Sequence, residues 1–208
     1  AVSLDGGMAL ESGESRWISG PDARASAHRL RSEHDAVLVG AGTVTADDPE
    51  LTVRHTCGES PMRIVLDSRL SIPSGSKVCA PGTTVFVSEE APGERRAAAA
   101  AAGMDVIAVP SGSSGLSLSH ILSVLALRGV NSLLVEGGPS VIASFFREGL
   151  VDGVALFLSP RIMGRNRPFS GPLAFASMDE TIRIRGASVK PVGDDFLLEG
   201  VPECSPAL

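Results

Sequence analysis

Tyrosine is absent from the 208 residues, tryptophan occurs once, and aromatic residues reach only 4%. A core with so few rings has to be filled by Leu, Val, Ile and Ala, which suits a buried parallel sheet. The same shortage leaves few planes on which nucleic-acid bases can stack. Lys and Arg are outnumbered by Asp and Glu, 18 to 24, for a net charge of −6, and no basic cluster is long enough to make a nucleic-acid face. Cys57, Cys79 and Cys204 are scattered and odd in number. They form neither a disulfide framework nor a metal spacing, so no metal is expected and a reducing, cytoplasmic setting is. No apolar run reaches membrane length and no secretory signal pattern is found. An initial methionine is missing too. The chain opens in "AVSL", which reads as the inside of a strand, so further residues, even a whole domain, are expected before Ala1 in the natural protein.

Apolar residues make up 43% and charged residues 20%, the balance of a globular core. The length suits one domain, taken here as residues 1–200 with 201–208 as a tail. From residue 83 strands and helices alternate: strands at 83–88, 105–110, 132–136 and 153–160, helices at 93–103, 117–129 and 139–149. Ser117 can cap the second helix and Gly129 can end it, and Pro139 suits the first turn of the third. The first third is similar, with strands at 1–4, 35–40 and 63–68, a long polar loop at 5–20 and a helix at 21–33. Such alternation predicts an α/β fold, a mostly parallel sheet with helices on both faces. Residues 160–172 read as a loop. Residues 181–200 alternate with period two and turn at 192–195, an antiparallel hairpin.

Three stretches carry chemistry. In "LLVEGGPSVIASFF" a buried strand stops on Glu136 and turns on Gly137 and Gly138. Glycines in such a turn can simply make a tight corner. They can also let the backbone approach a phosphate held by the N-terminus of the following helix. In "VLVGAGTVTADDPELTVR" a strand runs into Gly40 and Gly42, again at a carboxyl end, where open α/β sheets bind ligands. Asp48 reads as a turn residue before Pro49, and Asp47 as a candidate for the site. In "ESGESRWISGPDARASAHRLRSE", Trp17 either packs in a core or, standing in a polar loop, covers a ligand. Arg31 either pairs with surface acids or faces an anion.

In their order, "SLDG", "SRWISG", "HRLR", "DAVLVGAGTVTADDPELTVR", "RIVLDS" and "LLVEGGP" resemble the reductase domain of riboflavin biosynthesis, from Ala1 to about Gly164. That family has a dihydrofolate-reductase-like fold. The resemblance implies NADPH-dependent reduction of 5-amino-6-(5-phosphoribosylamino)uracil, with hydride attack at C1′ of the ring-opened ribose. It implies dinucleotide contacts at Ala1, Trp17, Gly40, Gly42, Thr43, Asp47 and Ser68. The pyrophosphate would lie on Gly137, Gly138, Pro139, Ser140, Val141, Ile142, Ala143 and Ser144. Ser15, Arg31, Leu51, Arg54 and Glu136 would contact the substrate.

Arg31 and Arg54 can supply the positive charge that a phosphate needs in an acidic chain. Glu136 can accept N–H bonds from the pyrimidine or orient the imine, and Asp47, or a water beside it, is the candidate proton donor. Ser68, next to Arg69, can read an adenosine 2′-phosphate. The family is commonly fused behind a zinc deaminase domain, and no H-x-E or P-C-x-x-C motif occurs here. Relatives are typically dimers, so a homodimer is expected. One departure stands out: where the family usually has a basic residue after "SLDG", this chain has Gly7. That keeps open a reductase for the still-aminated pyrimidine or a dihydropterin, and a nucleotide-binding module without turnover.

Overall fold

Short runs of Val, Leu and Ile between turn formers become the strands of the computed structural model, which describes residues 1–203 apart from His55 and Ser114. Cys204 and the rest of the expected tail beyond Glu203 lie outside the described residues. In chain order come β1 (Val2–Ser3), β2 (Gly7–Leu10), α1 (Pro21–Ser32), β3 (Ala36–Gly40), α2 (Ala41–Asp47), β4 (Met62–Leu66) and β5 (Thr83–Ser88). There follow α3 (Gly93–Ala101), β6 (Asp105–Val109), β7 (Ser111–Gly112), β8 (Gly115–Leu116), α4 (Leu118–Leu127) and β9 (Leu133–Gly137). The chain continues with α5 (Pro139–Arg147), β10 (Val154–Ser159), β11 (Asn166–Pro168), β12 (Arg183–Val192) and β13 (Asp195–Glu203). It divides into two compact units, His28–Gly138 and Ala1–Ala27 with Pro139 onward.

The unit His28–Gly138 holds a five-stranded sheet in the order β6-β5-β4-β3-β9, parallel at every pairing. Side chains alternate between its faces. Val37, Val39, Val65, Val85 and Val87 form one buried cluster with Val44 of α2 and Ala99 of α3. Their sequence neighbours Leu38, Ile64 and Phe86 are also fully buried, so both faces are covered. That is the α/β class the alternation predicts. Each buried Val or Leu contributes roughly 1.5–3 kcal/mol. The Ser117 hydroxyl accepts the His120 N–H at 3.4 Å, capping α4, and Gly129 at φ +83 lies just beyond its end.

The other unit holds a second sheet, β1-β10-β13-β12. Here the structure corrects the sequence reading. The 153–160 run does not extend the parallel sheet: β10 pairs in parallel with β1 and antiparallel with β13. The loop expected at 5–20 contains β2, and the loop expected at 160–172 contains β11; the two pair with each other antiparallel. Neither strand has a periodicity of its own, and each exists because the other offers it partners. The hairpin forms as expected, with Val192 opposite Asp195 and Gly193 at φ +60. A first central residue with positive φ is what a two-residue II′ turn requires.

Candidate active site

The carboxyl ends of β3 and β9 lie side by side in the parallel sheet. Strand β3 ends on Gly40, which forms the N-cap of α2 with extended backbone. The sequence reading treats 40–43 as a glycine corner and does not foresee the seven-residue helix that follows. Asp47 is the last residue of that helix and is half-buried. Asp48 is its C-cap at φ +43, and its carboxylate accepts the Lys77 N–H at 2.8 Å, a structural role.

Strand β9 carries an irregularity. Leu38 is opposite Val135 but Val39 is opposite Gly137, so Glu136 is an extra residue in the ladder. A bulge re-aims its side chain out of the pleat, a device common beside active sites. The Glu136 carboxylate meets the Arg31 guanidinium in a two-point fork: Nε donates to Oε1 at 2.5 Å and Nη2 donates to Oε2 at 2.7 Å. Arg31 Nη1 donates to the Thr52 carbonyl at 3.0 Å. The two side chains are only 14% and 22% exposed. Gly138 takes φ +55, and a Cβ there would stand 3.2 Å from Thr43 Oγ1. Thr43, Gly137 and Gly138 therefore meet at one corner, and α5 begins at the next residue.

Arg54 joins the same neighbourhood by its backbone, whose N–H donates to Nδ1 of the buried His28 at 3.3 Å. His28 and Arg31 are three apart on α1 and so share a face; the "HRLR" spacing was the available signal for His28. The Arg54 side chain is paired with Glu50. The hydrogen bond from Arg54 is the first cause holding Glu50 below its ordinary carboxylate range, against partial desolvation and with help from Lys77. Leu51 is a core residue, 1% exposed, so only its backbone is available to a ligand. Its φ of +56 costs a non-glycine residue on the order of 1–2 kcal/mol. Glu50 and the Thr52 carbonyl were not foreseen; a main-chain acceptor leaves no mark in residue type.

Ser68 is exposed beyond the end of β4, and its carbonyl accepts the Ser88 N–H at 3.0 Å. The turn after β4 is organised by the buried Asp67, which accepts from Ser71 N and Oγ and from Ile72 N. The remaining candidates belong to the other unit. Trp17 is 64% exposed, which rules out the core reading, and Arg24 lies 4.6 Å over its ring. Ala1 is exposed and Ser15 half-buried. Pro139, Ser140, Val141, Ile142, Ala143 and Ser144 form the first turns of α5, where Ala143 is buried and the Ser144 hydroxyl donates to the Ser140 carbonyl at 2.9 Å. Among the described residues there is no group of three or more potential metal ligands, and no helix is long and apolar enough to cross a membrane.

Glycine corners at the carboxyl ends of two adjacent parallel strands, beside a carboxylate held by a guanidinium, define an α/β chain of the kind in which ligands are bound at the carboxyl ends of the strands. More specifically, the chain belongs to the RibD C-terminal domain family, whose description matches residues 1–198. It is 37% identical to the riboflavin biosynthesis protein RibD of Aquifex aeolicus, over 95% of this chain and 55% of that protein. It is 35% identical to the 2,5-diamino-6-ribosylamino-4(3H)-pyrimidinone 5′-phosphate reductase of Methanothermobacter thermautotrophicus, over 96% of this chain and 94% of that one. Among solved structures it is similar to Acinetobacter baumannii RibD, with TM-score 0.83 and 27% identity over 97% of this chain and 56% of that one. The chain spans about half the length of the RibD proteins it matches. Reductases of this family use a nicotinamide cofactor.

Proposed function

We propose that the chain reduces the ribosyl group of 5-amino-6-(5-phosphoribosylamino)uracil to its ribityl form with NADPH, the reductase step of riboflavin biosynthesis. The observation that carries this reading is the bulged Glu136, forked to Arg31 beside Gly137 and Gly138 at the sheet's carboxyl edge. The residues present fit a dinucleotide. Gly138 combines positive φ with a bare Cα, so no side chain of its own stands between its backbone and a pyrophosphate. Ser68, exposed beside Arg69, suits an adenosine 2′-phosphate and favours NADPH over NADH. When bound, NADPH supplies the hydride that reaches C1′ of the ring-opened ribose.

The residues of this chain hold and protonate. Each Glu136 oxygen accepts one Arg31 N–H and keeps a lone pair for a pyrimidine N–H. Arg31 and Arg54 are the arginines that can offer the substrate phosphate charge-assisted hydrogen bonds. Asp47, half-buried at the end of α2, is assigned the proton that the imine nitrogen takes up, directly or through a water. Orienting the two reactants accounts for most of the rate enhancement, since the hydride chemistry is the cofactor's own.

The test is loss of the nicotinamide absorbance when purified protein, NADPH and this pyrimidine are mixed. No consumption at millimolar substrate would remove the reading. A second reading is favoured by the Methanothermobacter relative, of nearly the same length, whose name specifies the 2,5-diamino pyrimidinone. Assaying both pyrimidines in parallel separates the two by kcat/KM. We also propose a homodimer, because β12 is an outer strand whose free edge a second copy can extend; a monomeric mass in light scattering would refute it.

A further inference from the structure

Asp195 is a buried acid that the proposed reaction does not use. It opens β13 and is 3% exposed. An acidic side chain is seldom buried so far without a partner. Its Oδ2 accepts the Gly20 N–H at 2.7 Å, across 175 positions of sequence. Gly20 stands immediately before α1, and its carbonyl accepts the Arg24 N–H at 3.2 Å in the first turn of that helix. Glycine brings no capping side chain, so the oxygen at this helix entry comes from the tip of the β12–β13 hairpin. An N-cap side chain normally serves the N–H groups inside the first turn. Asp195 instead serves the N–H of the entry residue itself, as the glutamate of a capping box does, and so fixes the loop that arrives there.

That loop carries Trp17. Arg24 ties the ring to the same point: its Nη1 donates to the Ser19 carbonyl at 2.6 Å while the guanidinium lies 4.6 Å over the indole. Contacts thus run without a break from the indole through Arg24 and Ser19 to the Gly20 N–H and Asp195. The hairpin tip fits the helix entry at a second place, since a Cβ on Gly193 would collide with the Asp22 carboxylate. All of these residues belong to the unit formed by Ala1–Ala27 and Pro139 onward. Trp17 has no core to hold it, being 64% exposed, and a cation covers one face of its ring. An exposed indole fixed in this way is a platform on which a flat ring can stack.

We propose that Asp195 is a positioning residue for Trp17: by holding the Gly20 N–H it sets the indole against a planar ring of the cofactor, so that the C-terminal hairpin governs NADPH affinity. This rests on the reductase reading, in which Trp17 meets the dinucleotide, and adds a residue to it. Asp195 touches neither reactant and acts through the loop. Without it the platform is no longer ordered before binding, and NADPH binding has to supply that order. The effect therefore falls on the cofactor KM and not on kcat.

The test compares wild type, Asp195→Asn and Asp195→Ala. Trp17 is the single tryptophan, so its fluorescence reports this loop alone. Without ligand, time-resolved anisotropy of Asp195→Ala is expected to show the nanosecond loss of orientation about doubled in amplitude. Asp195→Asn keeps an acceptor oxygen of the same reach and should stay near wild type. In turnover with the phosphoribosylaminouracil, Asp195→Ala should raise the NADPH KM about tenfold with kcat within about threefold, and Asp195→Asn should recover most of that loss. Unchanged Trp17 anisotropy in Asp195→Ala overturns the proposal. So does an unchanged NADPH KM, or a loss in Asp195→Asn equal to that in Asp195→Ala. A wild type without turnover instead removes the reductase reading; the anisotropy, with the NADPH Kd from titration calorimetry in place of KM, then still decides the role of Asp195. Circular dichroism establishes that each variant is folded. Should Asp195→Ala not fold, hydrogen exchange in the wild type gives a second measurement: slow exchange of the Gly20 N–H supports the proposal, and exchange as fast as in an unstructured loop overturns it.

Discussion

Adding one methyl group at Gly137 or at Gly138 separates what the fold needs from what the ligand needs. At Gly138 the backbone has φ +55, and a Cβ would lie 3.2 Å from Thr43 Oγ1. The left-handed conformation alone costs alanine about 1–2 kcal/mol. For a chain of this length each kcal/mol lowers Tm by about 2–4 °C, so Gly138→Ala is expected to melt about 2–8 °C below wild type. At Gly137 φ is not positive, and the nearest atom to a Cβ, again Thr43 Oγ1, is at 3.5 Å, an ordinary contact. Gly137→Ala should therefore be within about 1 kcal/mol of wild type, since alanine also restricts the unfolded chain. If a pyrophosphate needs bare backbone at this corner, both variants lose NADPH affinity, by about tenfold or more, which is roughly 1.4 kcal/mol. Thermal melts give the stability term and titration calorimetry the affinity. Equal Tm losses at the two positions would refute the backbone reasoning. Unchanged NADPH affinity in Gly137→Ala would refute the proposed place of the cofactor while leaving the fold account intact.

Other consequences can be checked independently. A Cβ on Gly7 would fall 2.6–2.9 Å from the side-chain atoms of Asn166, so Gly7→Ala should cost about 1–3 kcal/mol by overpacking, and Asn166→Gly in the same chain should recover most of it. No recovery in that double variant would mean that Gly7 is required for another reason. The Asp5 carboxyl is lowered from 3.8 to about 2, first by the Ser3 hydroxyl and then by the Met163 N–H, with the Gly164 N–H adding to it. Its contribution is therefore complete above about pH 4 and is lost as pH falls toward 2. The stability gap between wild type and Asp5→Asn should close over that interval, and a gap that stays constant down to pH 2 would contradict it. Burial raises the Cys79 thiol while Cys57 is exposed, so peptide mapping after alkylation at pH 8 should find Cys57 modified well before Cys79.

Much of this protein could be read from local pattern because local pattern has local causes. The Val-rich runs at 36–40 and 83–88, the Ser117 cap and the Gly193 turn follow from side-chain periodicity, capping and backbone sterics within a few residues. So does the glycine corner after Glu136. The resemblance then supplied candidate roles that no periodicity could. What local pattern missed was β2, β11 and the helix after Gly40, each short and without a repeat of its own.

Sequence by itself determined the α/β class, most element positions and the residue types of the candidate site, since those depend on neighbours along the chain. Only the tertiary structure decided that β10 leaves the parallel sheet for β1 and β13, that Glu136 is a bulge, and that Arg31 is spent on it. The physical reason is distance along the chain. Arg31 and Glu136 are 105 residues apart, and which acceptor a guanidinium finds is set by strand register and by carbonyls that carry no residue identity.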